Sequence, residues 1–219
     1  IYRDIMRATA AILLVLCLLA VINIKNLMQI DAGLGQLVAT DTSQISYYLV
    51  GDESIRLPGS LKHITVGPAG IWGVNKADSI YKYVAGNWVQ AAGLLKQVDA
   101  GGVQFIVGRY SILSDSHKGP AVKYYSCGPF GCWAVNKNDD IYLMNCLNNG
   151  WSPIDSKLFV IEVETDGSGV NFWDGITASK PEGTGWSNIP MYMPMKHVTY
   201  DLGRLWVISN SGFTMVCTH

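Results

Sequence analysis

The stretch from Leu61 to Gly93 constrains the fold most tightly, because it contains three short apolar runs separated by turn signals. The runs HITV, IWGV and IYKYV are β-branched or aromatic and only four or five residues long. The turns between them contain Gly-Pro-Ala-Gly and Asn-Lys-Ala-Asp-Ser, and Ala-Gly-Asn follows the third run. This pattern is typical of β-strands joined by tight hairpins rather than of helices. One such sheet cannot bury both of its faces, so we expect it to pack against copies of itself.

Copies of this unit recur along the chain. Six copies can be aligned, and they start at Leu27, Leu61, Leu95, Val122, Val160 and Met195. The third copy starts 34 residues after the second, and the fourth starts 27 residues after the third. A period near 34 with several short strands in each copy predicts an all-β fold, a six-bladed β-propeller, rather than a helical solenoid.

Three of the copies depart from the full pattern. The third has no second hairpin and no closing Trp between Arg109 and Pro120, and the fifth runs from Gly167 almost directly into Trp173. The sixth stops at His219 after about three strands. We therefore expect blades three and five to be shortened. We also expect a strand from about Ala20 to Asn26 to complete the last blade, because ring closure removes a free sheet edge.

Residues 8–22 form the one continuous apolar segment, and Arg3 and Arg7 precede it. The segment has 15 residues, fewer than the roughly 20 that a bilayer-spanning helix needs. A basic stretch before a short apolar run is typical of a secretory signal peptide. We therefore assign residues 1–22 to a signal peptide and residues 23–219 to the propeller domain. The alternative is an uncleaved membrane anchor.

Secretion permits disulfide bonds, and four cysteines follow the apolar segment. Cys127 and Cys132 flank a Gly-Pro-Phe-Gly turn, so a local bridge is geometrically easy, and two buried thiols are the alternative. Cys146 and Cys217 could pair with each other. The cysteine and histidine spacings do not match a zinc site.

Composition and motifs argue against several classes of function. The net charge is −1 and the lysines and arginines are scattered, so nothing favours a nucleic-acid partner. We expect no enzyme, because there is no P-loop, no G-x-S-x-G and no fixed carboxylate pair. His63 and His197 occupy equivalent positions in their copies, which favours a strand position over catalysis. No cofactor is indicated, although calcium could bind an Asp-rich turn such as Asp139-Asp140.

The second and fourth copies repeat the same aromatic residue and polar turn. Trp72, Asn75 and Asp78 in the second copy correspond to Trp133, Asn136 and Asp139 in the fourth. Asn and Asp suit such turns because their side chains bond the nearby backbone and tolerate left-handed φ. The alternative is that these two sets bind sugar, with each Trp stacking on the apolar face of a pyranose. Trp88, Trp151 and Trp186 close their copies, and we expect them to pack between blades.

Longer phrases of the sequence carry a family resemblance. The segments are SLKHITVGPAGIWGVNKADSIYKY, GLLKQVDAGG, KYYSCGPFGCWAVNKNDDIY, IEVETDGS, SKPEGTGW and KHVTYDLGRLWV. Together they resemble the tectonin-repeat family of fish egg lectins, which is related to the tachylectin-1 type of invertebrate lectin. The resemblance implies a secreted, extracellular six-bladed propeller, often a homodimer. Its expected ligands are N-acetylglucosamine-type sugars and bacterial surface glycans such as lipopolysaccharide, bound in egg or innate defence.

The resemblance also bears on the cysteines. It implies that the local Cys127–Cys132 bridge is retained. The family's N-terminal cysteine has no counterpart between Ala20 and Leu27, which leaves Cys217 without its expected partner. The usual partner of Cys146 would lie in the missing part of copy three. Alternatives to a sugar-binding lectin are therefore a protein-interaction propeller without sugar binding and a truncated, non-functional paralogue.

Overall fold

The chain folds entirely from β-strands in the part that the computed structural model describes. The described residues are 16–19, 24–51, 53–101, 107–110, 122–128, 131–138, 140–145, 150–157, 170–174, 179–180, 184–191 and 193–218. The strands are β1 (Leu16–Leu19), β2 (Leu27–Gly33), β3 (Gln36–Asp41), β4 (Ser46–Val50), β5 (Glu53–Arg56), β6 (His63–Gly67), β7 (Gly70–Val74), β8 (Ser79–Val84), β9 (Asn87–Asp99), β10 (Val107–Tyr110), β11 (Val122–Gly128), β12 (Gly131–Asn136), β13 (Asp140–Asn145), β14 (Gly150–Lys157), β15 (Val170–Asp174), β16 (Gly185–Ile189), β17 (Met195–Asp201), β18 (Arg204–Ser209) and β19 (Thr214–Thr218).

These strands form a series of antiparallel sheets that follow one another along the chain. The sheets have the orders β2-β3-β4-β5, β6-β7-β8-β9-β10, β11-β12-β13-β14, β15-β16 and β17-β18-β19-β1. Within each sheet, successive strands are neighbours, so each sheet is a meander apart from the added strand β1. The starts of copies one, two, four and six lie at or within two residues of β2, β6, β11 and β17. This arrangement confirms the all-β prediction and is that of a β-propeller.

The first strands of consecutive sheets pack side by side at the centre of the molecule. Strand β17 lies against β2, and β2 lies against β6. Val66 N donates to Asp31 Oδ2 at 2.7 Å, and Ala32 N donates to Thr199 Oγ1 at 3.1 Å. A Cβ on Gly33 would lie 2.3 Å from the carbonyl oxygen of Val66, so only glycine allows this approach. Side-chain hydrogen bonds and close backbone contact therefore join neighbouring sheets at their inner edges.

Apolar side chains fill the space between the first and second sheets. The buried residues of this apolar cluster are Val38, Leu57, Ile64 and Val66. Trp88 packs against this cluster, its Nε1 donates to Pro58 O at 2.8 Å, and the ring of Tyr83 lies 4.9 Å from its own, centroid to centroid. The prediction that Trp88 packs between blades is confirmed. Trp151 and Trp186 lie on β14 and β16, and their side chains are outside the described part of the structure.

Strand β1 adds a fourth strand to the last sheet. It pairs antiparallel with β19, as expected for a strand that completes the final blade. The predicted position from Ala20 to Asn26 is wrong, because the strand is Leu16–Leu19 and residues 25–26 form a turn. Asn26 has φ 59°, a left-handed conformation that interrupts a strand, whereas Leu16–Leu19 is an unbroken apolar run. The strand lies inside the segment assigned to a signal peptide, and that assignment stays a prediction.

Three of the cysteines that the structure describes are disulfide-bonded. Cys127 and Cys132 form a disulfide across the β11–β12 hairpin, with an S–S distance of 2.09 Å, which confirms the predicted bridge. Cys217 is also disulfide-bonded, so the expectation that it lacks a partner is wrong. Cys17 on strand β1 lies opposite Cys217 on β19. The sequence interpretation placed Cys17 in the signal peptide and so did not consider it as a partner. Cys146 lies outside the described residues.

The predicted losses in copies three and five fall mostly outside the described residues. In copy three, β10 pairs with the end of β9, and residues 111–121 are not described. In copy five, β15 pairs with β16, and residues 158–169 are not described. The shortening of these blades stays a prediction.

Candidate functional site

Trp72 lies in the middle of β7, with Thr65 of β6 on one side and Lys82 of β8 on the other. Its Nε1 donates to Ala69 O at 2.9 Å, and Lys82 Nζ lies 5.2 Å from the ring centroid. A cation at this distance from a Trp ring contributes about 0.5–1 kcal/mol at an exposed site. The ring also packs against the buried cluster that contains Val74. Trp72 is therefore half-buried and held by contacts within the protein.

Asn75 organises the turn between β7 and β8. Its Oδ1 accepts hydrogen bonds from Ala77 N at 3.0 Å and from Ser79 N at 2.9 Å. Its Nδ2 donates to Tyr81 Oη at 3.3 Å. The side-chain carbonyl of Asn75 therefore stabilises its own turn, as the sequence interpretation of these residues as turn formers predicted.

Asp78 ends the same turn in a left-handed conformation, with φ 66°. Its Oδ1 forms an ion pair with Lys62 Nζ, and its backbone carbonyl accepts a hydrogen bond from Leu95 N at 2.8 Å. Leu95 begins the third copy, so Asp78 ties the turn of blade two to the start of the next copy. The carboxylate that was predicted to bind sugar has a cationic partner within the protein.

The fourth copy repeats this arrangement. Asn136 Oδ1 accepts hydrogen bonds from Asn138 N at 2.8 Å and Asp140 N at 3.0 Å, and its Nδ2 donates to Asp140 Oδ2 at 2.9 Å. Trp133 lies on β12 and packs against buried Val135. Asp139 lies outside the described residues.

The structure does not bring the predicted sugar-binding residues of blade two into one cluster. Trp72 contacts the β6–β7 turn through Ala69, whereas Asn75 and Asp78 form the turn at the other end of β7. The strand separates the aromatic ring from the two polar side chains. Their joint role in sugar binding stays a prediction.

The sequence interpretation missed a tyrosine that completes each turn. The pairs, each six residues apart, are Asp41 with Tyr47, Asn75 with Tyr81, and Asn136 with Tyr142. Tyr47 Oη donates to Asp41 Oδ2 at 3.1 Å, and Asn136 Nδ2 donates to Tyr142 Oη at 3.4 Å. Burial, followed by the bond to Asp41, raises the pKa of Tyr47. The fixed spacing of an Asp or Asn and a Tyr in three copies was the signal that could have revealed this turn, and it extends the pattern to blade one.

Two hydrogen-bonded carboxyl groups, Asp31 and the buried Asp99, lie on inner strands of the described sheets. Asp31 Oδ2 accepts hydrogen bonds from Thr65 Oγ1 at 2.8 Å and from Val66 N at 2.7 Å. Asp99 accepts from Gly101 N at 2.7 Å. Burial, with the charge of Asp99 adding to it, raises the pKa of Asp31 to about 7. Burial raises the pKa of Asp99 to about 6.

Two histidines lie on the inner strands as well, at the equivalent positions that the repeat alignment gave them. Burial, followed by the charge of Lys62, lowers the pKa of His63 to about 4. Burial, followed by the charges of His63 and Lys196, lowers the pKa of His197 to about 3. Both imidazoles are therefore neutral at pH 7 and belong to the packed centre of the propeller.

Metal binding and membrane spanning find no support in the described ranges. No three His, Cys, Asp or Glu side chains among the residues placed by the structure are grouped to hold a metal ion. Calcium binding at Asp139-Asp140 stays a prediction, because Asp139 is not among those residues. In the same part of the chain, no helix has the length and apolarity of a membrane span.

Comparison with solved structures identifies the fold. YCF48 bound to D1 peptide superposes with a TM-score of 0.54 at 11% identity, over 88% of this chain and 78% of that one. The WD40 beta propeller domain of Doa1 gives a TM-score of 0.48 at 7% identity, over 89% of this chain and 93% of that one. At 11% identity the likeness to YCF48 shows the fold and nothing about function.

Comparison of sequences identifies the family. The family described as Tectonin domain matches residues 26–114 and 116–210. The fish-egg lectin of Cyprinus carpio is 42% identical over 226 residues, which cover 88% of this chain and 95% of that protein. A tectonin propeller of this kind is not an enzyme. The chain therefore belongs to the fish-egg lectin family of tectonin-domain proteins and is a lectin.

Proposed function

We propose that this chain is a secreted, extracellular lectin that binds N-acetylglucosamine-type sugars on bacterial surface glycans, lipopolysaccharide included, in egg or innate defence. The observation that carries the proposal is the 42% identity to carp fish-egg lectin over 88% of this chain. No cofactor is part of the proposal. The repeated Trp and polar turn of blades two and four supports it, because the same arrangement occurs twice in one ring.

The proposed sugar sites are built around the two fixed tryptophans. Trp72 is held by Ala69 and Lys82, so its ring is rigid before a ligand arrives. A large, pre-organised aromatic face offers contact area to a pyranose at little entropic cost. Asn75 and Asp78 lie at the other end of β7, so they would contact a different part of an extended glycan than the Trp72 ring, through the polar groups that their turn does not use. Trp133, Asn136 and Asp139 would form the second site.

The proposed architecture is a ring of six blades, with blades three and five shortened. Its functional value lies in repetition, because a monosaccharide site with a millimolar dissociation constant provides only about −4 kcal/mol. Two sites in one chain, or a homodimer, raise avidity for a dense glycan surface by about 10²–10⁴.

Retention on N-acetylglucosamine-agarose tests the proposal. The purified, folded chain should be retained and should elute with free N-acetylglucosamine. Trp72→Ala should weaken retention, whereas Phe213→Ser, which changes a side chain that is 57% exposed in the β18–β19 turn, should not. A protein with a β-sheet circular dichroism spectrum that binds neither this resin nor any sugar on a glycan array would contradict the proposal.

A protein-interaction propeller without sugar binding is the second candidate. The observation that favours it is that Asn75, Asp78 and Asn136 are already engaged within the protein. It predicts a protein partner that is recovered by affinity capture and that free N-acetylglucosamine does not displace.

A further inference from the structure

The register of the second sheet places Lys82 against the ring of Trp72. Strand pairing puts Thr65, Trp72, Lys82 and Val89 side by side in one row across β6, β7, β8 and β9. Residues that face each other on neighbouring strands lie on the same side of a sheet. Lys82 Nζ lies 5.2 Å from the centroid of the Trp72 ring, and a Cβ on Gly70 would lie 3.6 Å from Lys82 Cε. The ammonium is therefore held over the ring, and its stem follows the β6–β7 turn.

Two other sheets carry a Trp at the same place, but neither has a cation beside it. Trp133 lies opposite Leu143 in the fourth copy, and Trp206 lies opposite Val216 in the last copy. Leu143 is buried, whereas Lys82 is half-buried and reaches solvent. Among these three equivalent positions of the described sheets, the one in blade two therefore combines a ring with a positive charge.

No carboxylate lies within ion-pair distance of Lys82 among the residues that the structure places. The ion pair found there joins Lys62 to Asp78. Asp31 binds Thr65 at the inner end of the row, so two side chains separate its carboxyl group from Lys82. The described residues of the next copy that pack against this face are apolar. A cation–π contact orients an ammonium but does not neutralise it, so an anion that reached the ring would meet a positive charge.

A neutral sugar and an anionic sugar should meet this position differently. A neutral pyranose that stacks on the covered face of Trp72 has to move the ammonium aside and gains no charge contact in return. A phosphate or carboxylate on the sugar can instead accept charge-assisted hydrogen bonds from Lys82 Nζ, a compact point charge with three donors. The position therefore favours a glycan that carries a negative charge.

We propose that Lys82 makes blade two selective for sugars with an anionic substituent, a phosphate or a carboxylate, and that blade four, with Leu143, lacks this selectivity. The proposal rests on the sugar-binding function proposed above, and Lys82 is a specificity-determining residue of that site. The two are measured separately. Sugar binding is measured with neutral N-acetylglucosamine, and selectivity is measured as the gain in affinity that a charged substituent brings.

Titration calorimetry of the purified chain tests the proposal with N-acetylglucosamine, N-acetylglucosamine 6-phosphate and N-acetylmuramic acid. A charged sugar should bind about three- to tenfold more tightly than the neutral one, as expected for a charge-assisted contact that is partly open to solvent. Raising the salt concentration should reduce this gain, because mobile ions screen the contact. The phosphate and carboxylate arms identify which anion the position prefers, and a gain with either one supports the proposal.

Variants at Lys82 separate its charge from the rest of the surface. Lys82→Leu introduces the residue that blade four has opposite its Trp, and it should abolish the gain. Lys82→Arg keeps the charge and should retain the gain. Lys25→Met is the matched control, because it removes one exposed positive charge outside the second sheet, and it should leave the gain unchanged. If Lys82→Leu does not fold, Lys82→Gln replaces it.

The other outcomes are equally decisive. Equal affinity of the wild-type chain for the neutral and both charged sugars overturns the proposal and leaves the sugar-binding function standing. A gain that persists in folded Lys82→Leu, or that Lys25→Met removes as well, also overturns it, because the charge would then act from elsewhere. A folded chain that binds none of these sugars overturns both the selectivity and the sugar-binding function.

Discussion

At the scale of single residues, the polar side chains that the repeat makes conspicuous mainly hold turns. Asn75 and Asn136 each accept two backbone hydrogen bonds in their own turns, and Asp41 does the same through Ser43 N and Ile45 N. A repeated polar residue in a propeller is therefore first a structural element. Any sugar contact has to use the groups that the turn leaves open.

Asn75→Ala should lower the free energy of unfolding by about 1–3 kcal/mol, because two backbone amides lose their acceptor. Asn75→Asp keeps an acceptor oxygen and should cost less. Urea denaturation of the three proteins measures the difference. If Asn75→Ala unfolds at the wild-type urea concentration but loses sugar retention, the side chain serves the ligand and not the turn.

The titrating groups at the centre of the propeller have opposite effects on stability. Asp31 and Asp99 have pKa values raised from 3.8 to about 7 and about 6, so their contribution is present below pH 3.8 and is lost as pH rises through those values. His63 and His197 have pKa values lowered from 6.5 to about 4 and about 3, so their contribution is present above pH 6.5 and is lost as pH falls. Between about pH 4 and 6 the two effects oppose each other.

The wild-type chain should therefore show a nearly flat stability profile between about pH 4 and 6. Replacing His63 and His197 together by Gln removes the pH-dependent contribution of the histidines. The free energy of unfolding should then fall as pH rises through this window. Gln is a suitable replacement because Gln29 occupies the corresponding position of copy one. Urea midpoints at several pH values provide the measurement. A variant profile that runs parallel to that of the wild type would contradict this account of the central groups.

At the scale of elements, the last sheet depends on a strand from the other end of the chain. Strand β1 covers the edge that β19 would otherwise expose, and an open strand edge is a site for aggregation. The disulfide-bonded Cys217 lies on β19, so this sheet is tied covalently as well as by hydrogen bonds.

A chain that starts at residue 23 lacks β1, whereas one that starts at residue 16 retains it. The shorter chain should melt lower by roughly 5 °C or more, because the last sheet loses a strand and its ladder of hydrogen bonds. Thermal unfolding followed by circular dichroism compares the two. Equal melting temperatures would mean that β1 does not stabilise the ring.

The elements also show where prediction from sequence succeeds and where it stops. The apolar runs after Leu27 and Leu61 gave the inner strands correctly, because β-branched residues between turn signals have few alternatives. Leu16–Leu19 was assigned elsewhere, because an apolar run beside basic residues suits a signal peptide as well as a strand. The pairing of β1 with β19 depends on contacts between the two ends of the chain, which local patterns do not contain.

The candidate site was predictable in its parts but not in its arrangement. The sequence indicated that Trp72 and Asn75 recur in the fourth copy, and the structure gives both a defined role. It did not indicate that β7 would separate the ring of Trp72 from the turn at Asn75, because that depends on the direction of each side chain along the strand. The sequence also did not reveal that Gly33 and Gly67 are contact points between sheets, although their spacing of 34 residues equals the repeat period.

At the scale of the whole molecule, we propose that a ring of similar sheets presents repeated sugar sites to a glycan surface. Among the sheets that the structure describes, hydrogen bonds such as Val66 N to Asp31 hold neighbouring inner strands together. Ligand binding to such a ring should stabilise it, because the sites exist only in the folded chain.

The most direct test is a thermal melt of the purified chain with and without N-acetylglucosamine oligomers. At a ligand concentration ten times the dissociation constant, binding stabilises the fold by about 1.4 kcal/mol, which corresponds to a shift of about 3–6 °C. We predict a shift of this size, and none with glucose oligomers that lack the acetamido group. A cooperative melt that N-acetylglucosamine oligomers leave unchanged at every concentration would contradict the assignment of this propeller as an N-acetylglucosamine lectin.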